Sequence, residues 1–417
     1  MNSAGLNMLG SYGSWAQEVY GSSPRALSFM DPRWHDAAEW RSTARREVLR
    51  LLAPPVLNSA PSGAGGAAGA RVTGTCRYDG LEIEMISFEL PFGPPMEALF
   101  MKPENATGPL PGVLAFHDHG GIKYYGKQKI ARAGEFQSPL MQTHQEHYYG
   151  GRAWANELAK RGYGVLVHDA FPFESRKILA SCLPAYTVKR MMSPPLTIEE
   201  LTPEDVLPGA VITAYDVPSA GPSGESASAV KAYDAFAARH EDIIAKSLFS
   251  LGLTWPGLVF AEDTFALDYL SSRPDIDSSR MGCCGLSGGG LRTNYLAGLD
   301  GRVRCSVTAG FMTTWKDLVL NTCYTHTWMI YIPGLAGLMD FPDILSLHAP
   351  LPALVLGTDS DPLFTPAETR AAAAVIGEVY RKTGAADNFV LSIHRGPHKF
   401  DVPMQEEAFA WFDRWLG

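Results

Sequence analysis

Six short apolar runs, each separated from the next by longer intervening sequence, constrain this chain more than anything else in it. They are Gly112–Phe116, Gly164–His168, Met281–Leu286, Cys305–Ala309, Ala353–Gly357 and Phe389–Ile393. Apolar periodicity fits helices between them at Trp154–Arg161, Phe260–Ser272, Leu291–Leu299 and Pro366–Thr383. Strands that alternate with helices build a mostly parallel sheet covered on both faces. Ahead of them, Leu81–Phe88 and Met96–Lys102 read as an antiparallel pair joined through Pro91 and Gly93. The expectation is an α/β fold with a mostly parallel eight-stranded sheet.

The third run carries the chemistry. It ends in Gly285-Leu-Ser-Gly-Gly289, and a helix-forming segment, Leu291–Gly298, follows at once. Strand, sharp turn and helix is the context in which a serine becomes an exposed nucleophile. Glycine tolerates the dihedrals and close approaches such a turn requires. In a chain with 41 glycines the bare motif carries little weight, so the flanking strand and helix decide the matter. A nucleophilic Ser287 needs a base to take its proton and a carboxylate to hold that base in the right tautomer. Both follow in order: Thr358-Asp-Ser-Asp-Pro-Leu-Phe-Thr-Pro366 after one strand, His394-Arg-Gly-Pro-His-Lys-Phe400 after the next. His398 lies beyond its strand in a Gly-Pro turn and is the expected base, whereas His394 sits beside the strand and reads as packed or hydrogen-bonded. Asp361, on the loop proper, is preferred as the acid over Asp359, whose place near the strand end suits a turn or cap. The Gly288 N–H would be one oxyanion donor. The other is expected in Phe116-His-Asp-His-Gly-Gly121, from the backbone of His119 or Gly120.

Together, His117-Asp-His-Gly-Gly121, Gly285-Leu-Ser-Gly-Gly289, Asp361-Pro-Leu-Phe364 and Gly396-Pro-His-Lys-Phe400 resemble the α/β-hydrolase superfamily. They are most similar to its dienelactone-hydrolase and acetyl-xylan-esterase-like branches. The resemblance runs from about Arg71 to Gly417. It implies a serine hydrolase acting on a small-molecule carboxylic ester, with no cofactor. Dienelactone hydrolases proper carry cysteine at the elbow, so Ser287 leaves their particular reaction unimplied. A carbon–carbon bond hydrolase, a lyase or an acyltransferase could use the same three residues, because a fold does not dictate its chemistry.

Residues 1–70 are expected to form a helical extension with a flexible connector, and 71–417 the catalytic domain. Asp31–Leu52 has helical spacing, and Asn58–Ala70 (NSAPSGAGGAAGA) has nothing to pack. The stretch from about 172 to 255 breaks the strand–helix alternation and reads as a lid or pocket wall. Tyr124, Tyr149 and Trp328 are candidate pocket residues. His117, His119, His144, Glu146 and His147 cluster, but His144-Gln-Glu-His147 matches no zinc-enzyme spacing, so no metal is expected. A net charge of −9 without a Lys/Arg run argues against nucleic acid or an anionic membrane as partner. No apolar stretch reaches the roughly 18 to 20 residues of a membrane span, and the N-terminus lacks signal-peptide character. The six cysteines show no paired spacing and read as reduced thiols of a cytoplasmic protein. A homo-oligomer is compatible with all of this.

Overall fold

The computed structural model describes residues 7–21, 25–55, 69–191 and 226–417. A single nine-stranded sheet organises them: β1 (Ala70–Tyr78), β2 (Leu81–Phe88), β3 (Met96–Pro103), β4 (Leu110–Phe116), β5 (Gly164–His168), β6 (Ile276–Leu286), β7 (Cys305–Ala309), β8 (Ala353–Thr358) and β9 (Phe389–His394). Their spatial order is β1-β2-β3-β5-β4-β6-β7-β8-β9. The pairs β1–β2, β2–β3 and β3–β5 are antiparallel, and every pair from β5 across to β9 is parallel. The eight expected strands are present, and β1 is a ninth. It escaped the apolar pattern because it is a largely exposed edge, and its register slips at Val72/Gly74. Edge strands lack the second buried face that makes a strand conspicuous in sequence.

The inner strands bury both faces, and neighbouring residues feed opposite cores. Leu114, Phe116 and Cys283 join the larger core, with the helices Trp255–Ser272, Gly288–Leu299 and Pro366–Lys382. Val113, Ala115, Cys284 and Leu286 join the other, with Trp154–Lys160 and Val402–Leu416. All six cysteines are free. Burial pushes the Cys283 and Cys284 thiols well up, which keeps them inert. Among the described residues no single helix is long and apolar enough to cross a membrane.

The helix expected from Asp31 begins later than its periodicity suggested. It spans Ala37–Leu52, because the Asp36 carboxylate caps it by accepting from the Ala38 and Glu39 amides at 2.6 and 3.1 Å. Asp31 instead forms a turn with the Arg33 amide. Trp40, Ala44, Val48 and Leu52 lie on one face at i, i+4 spacing and enter the main core. The Trp40 indole donates to the Leu27 carbonyl at 2.8 Å and stacks, tilted, on Phe29. Arg45 donates to the Gly298 and Leu347 carbonyls at 2.8 and 3.1 Å. The extension therefore packs on its own chain and covers the C-terminal end of the Gly288–Leu299 helix. Trp255–Ser272 in turn starts five residues before the expected Phe260, since Thr254 caps it through the Gly257 amide at 2.9 Å. In the 172–255 insertion, helices form at Ala185–Arg190 and Ala227–Ser250. Residues 192–225, with most of the low-complexity Ala220–Ser228 stretch, lie outside the described residues.

Trp40→Ala should cost about 3–5 kcal/mol, the usual loss for deleting a buried large aromatic side chain. Urea unfolding of the two proteins side by side measures it; a loss under about 1 kcal/mol would mean the extension is not part of the core.

Candidate active site

Parallel strands all end on the same edge of a sheet, so loops that are distant in sequence meet there. The β6 edge ends at Ser287, whose backbone sits at φ 56°, ψ −118°. A non-glycine residue there is strained by about 1–3 kcal/mol, and surrounding packing must hold it. The packing is visible. A methyl group at Gly285 would meet the Gly289 carbonyl carbon at 2.6 Å, and one at Gly289 would collide with the Phe116 oxygen at the end of β4. The Ser287 amide donates to the Ala309 carbonyl at 2.9 Å, and its own carbonyl accepts from Leu291. Deeper in the same helix, Arg292 pairs with Asp263 at 2.7 Å and stacks over Phe116. His168 Nε2 lies 2.9 Å from that same carboxylate and 2.8 Å from the Arg292 guanidinium.

Ser287, Gly288, His119, Gly120 and His398 line one cavity of about 450 Å³. His398 Nδ1 donates to Asp361 Oδ2 at 2.7 Å, and both side chains are almost fully buried. Asp361 Oδ1 accepts from the Leu363 and Phe364 amides, which fixes the carboxylate. His398 Nε2 is buried with no protein hydrogen bond among the described residues. Asp359 does something else: exposed, it accepts from the Gly396 amide at 2.9 Å and braces the loop carrying His398. His394 is bonded to Glu407 at 2.7 Å, the hydrogen-bonded alternative of the two expected for it.

The loop after β4 is held from beneath. Gly120 has φ +51°, and a methyl group there would collide with the Asp118 carboxylate. Buried Asp118 accepts from His144 Nε2 at 3.0 Å and from the Tyr149 hydroxyl at 2.5 Å. Burial works against its charge, but His144 and Lys129 beside it hold the carboxyl well below the usual range. Burial, with Arg292 and Lys129 nearby, pushes His117 well down, so the ring is neutral. Its Nε2 accepts from the Ala170 amide at 3.2 Å, so Nδ1 carries the proton and donates to the Asp118 carbonyl at 3.0 Å. His119 Nδ1 accepts from the Gly121 amide, and its Nε2 donates to Glu241 Oε1 at 3.0 Å. Glu241 comes from the Ala227–Ser250 helix and also pairs with buried Lys123 at 2.6 Å. Burial disfavours its charge, yet the His119 hydrogen bond and the Lys123 ammonium outweigh this and lower the carboxyl to about 2. His117 and His119 thus spend both ring nitrogens on protein partners.

Of the three candidate pocket residues, none is among those lining the cavity. Tyr124 is buried in a small core with Tyr233 under the insertion helix, Tyr149 is spent on Asp118, and Trp328 is partly exposed at the surface. The aromatic wall is made instead by Tyr148, Phe311, Tyr324 and His326, with Ala238 and Glu241 from the insertion helix. Tyr148, Tyr324 and His326 are close sequence neighbours of the candidates Tyr149 and Trp328, and sequence could not tell which of them face inward. Glu241, Lys123 and Lys129 it missed entirely, because lone charges on helices and loops look like solvated surface.

No family model matches the chain. It is 26% identical over 321 residues to "Putative hydrolase YtaP" of Bacillus subtilis (strain 168), which covers 76% of this chain and 83% of that protein. A structure described as a putative acetyl xylan esterase from Bacteroides fragilis NCTC 9343 aligns with TM-score 0.63 and 16% identity, covering 93% of this chain and 83% of that one. The chain has the α/β-hydrolase fold. The glucuronoyl esterase from Solibacter usitatus is a further α/β-hydrolase neighbour, with TM-score 0.54 and 15% identity over 94% of this chain and 98% of that one. The fold differs from the expected outline in its extra edge strand.

Because the Glu241 carboxyl is held at about 2, below its ordinary 4.5, its stabilisation is complete above about pH 4.5 and fades as pH falls toward 2. Glu241→Gln, which leaves the Lys123 charge unpaired, should lower stability on the order of 3 kcal/mol at pH 7. The gap between variant and wild type should narrow at pH 3. Urea midpoints at the two pH values measure it, and a gap that does not narrow would contradict the assignment.

Proposed function

We propose that this α/β-hydrolase is a serine esterase that cleaves a carboxylic ester through an acyl-enzyme. One observation carries the reading: His398 is tied by Nδ1 to Asp361 while its buried Nε2 stays unpartnered, in the cavity that Ser287 lines. With Nδ1–H bound to the carboxylate, Nε2 is left as the basic nitrogen. Ser287 Oγ attacks the ester carbonyl as Nε2 takes its proton. The tetrahedral oxyanion is met by the Gly288 N–H, at the positive end of the Gly288–Leu299 helix, and by the His119 N–H. A methyl group placed on Gly288 would stand 3.0 Å from the His119 nitrogen, which favours His119 over Gly120 as the second donor. The imidazolium then returns its proton to the leaving alcohol. Water, deprotonated by the same nitrogen, attacks the acyl-enzyme and releases the acid.

The esterase names of the neighbouring structures support ester chemistry in this fold. The cavity suits a small ester, and its Tyr148, Tyr324, Thr325 and Thr327 lining offers hydroxyls to a polar substrate. The 172–255 insertion acts in this reading as a pocket wall, through Ala238 and Glu241.

Hydrolysis of p-nitrophenyl esters from acetate to octanoate tests the proposal. Turnover should fall with chain length and vanish in Ser287→Ala, which should keep its fold. Asp361→Asn should lose about 10⁴-fold in kcat, because the imidazole then presents the wrong tautomer. Asp359→Asn should remain within about tenfold of wild type. Full activity of Ser287→Ala, or a crippling Asp359→Asn beside a mild Asp361→Asn, would overturn the assignment.

A further inference from the structure

Lys129 is completely buried, a placement that costs several kcal/mol in desolvation and that an apolar side chain would avoid. Its ammonium donates to two successive carbonyls, Asp118 and His119, each at 2.8 Å, and lies 3.8 Å from the Asp118 carboxylate. The Asp118 carbonyl receives a second hydrogen bond from His117 Nδ1 at 3.0 Å. That oxygen belongs to the same peptide group as the His119 N–H. The only cis peptides among the described residues are Phe171–Pro172 and Ala349–Pro350, so the Asp118–His119 peptide is trans. In a trans peptide the C=O and N–H point in opposite directions. Two donors on the oxygen side therefore fix where the N–H points, and the His119 nitrogen lies on the Gly288 side.

We propose that Lys129, assisted by His117, is a positioning residue that orients and polarises the His119 N–H as an oxyanion donor. A cation hydrogen-bonded to the carbonyl draws electron density from the peptide and strengthens the N–H at its other end. The positive charge thus acts on the developing oxyanion through the peptide group without touching substrate. The ground-state ester, whose carbonyl carries little charge, gains much less than the tetrahedral adduct. This inference rests on the esterase reading above.

The test compares wild type, Lys129→Met, His117→Leu and His117→Asn on p-nitrophenyl acetate, with an aryl trifluoromethyl ketone as the oxyanion-forming inhibitor. Loss of one oxyanion donor costs about 10²–10³-fold in kcat, so Lys129→Met should lose about 10²-fold with KM within about threefold. The trifluoromethyl ketone should weaken by a similar factor. His117→Leu should lose about tenfold in kcat, and His117→Asn, whose amide can replace the Nδ1–H, should recover most of it. If Lys129→Met fails to fold, the His117 pair decides alone. Wild-type kcat in Lys129→Met or, for a folded variant, a kcat loss with unchanged ketone affinity would overturn the assignment. So would equal losses in His117→Leu and His117→Asn. Ser287→Ala runs alongside: if it retains full activity the esterase reading itself falls, whereas an inactive Ser287→Ala beside a fully active Lys129→Met removes only the role given to Lys129.

Discussion

Everything at the C-terminal edge of the sheet depends on how closely the turn after β6 can approach the end of β4. Only one residue separates the end of β6 from the start of the Gly288–Leu299 helix, which forces Ser287 into left-handed backbone. That conformation is tolerable only because Gly285 and Gly289 let the turn close on itself and press against Phe116. The same contact sets the loop following Phe116 beside the start of the helix. The Ser287 turn and the loop after β4 are thus one packing unit, and strain in the first is balanced by the fit of the second.

How much of this could be read from the chain follows the range of each signal. The buried parallel strands announced themselves within a residue or two at most boundaries, because both faces are apolar and their ends carry glycine or polar residues. Ser287, Asp361 and His398 could be singled out because each stands at a fixed offset from such a strand. β1 was invisible because an exposed edge has no apolar rhythm. The helix starts at Ala37 and Trp255 were misplaced because caps, not periodicity, decide them. The pocket wall was illegible for a different reason. Whether Tyr148 or Tyr149 faces the cavity is a matter of about 100° of helix rotation, which composition does not carry.

Beneath the candidate site lies a set of buried charges that none of those local signals could announce. Lys129 is matched by Asp118, Lys123 by Glu241, and Arg292 by Asp263. The first closes the loop after β4 on itself, the second ties that loop to the insertion helix, and the third ties two neighbouring helices together. Buried ion pairs contribute little net stability. Their geometric specificity suits a site in which a few tenths of an ångström decide how well a charge is met.

The pairing of Lys123 with Glu241 ties two regions that would otherwise be free to diverge. The Ala227–Ser250 helix sits in a long insertion, the sort of segment that homologous proteins gain, lose or exchange with little effect on their cores. Here its removal would leave the buried Lys123 ammonium without its carboxylate. A lineage that shortens the insertion must therefore replace Lys123 in the same history, and a chimera that swaps one without the other inherits an uncompensated buried positive charge in the loop after β4. The insertion and the β4 loop form a single heritable unit, although more than a hundred residues separate them.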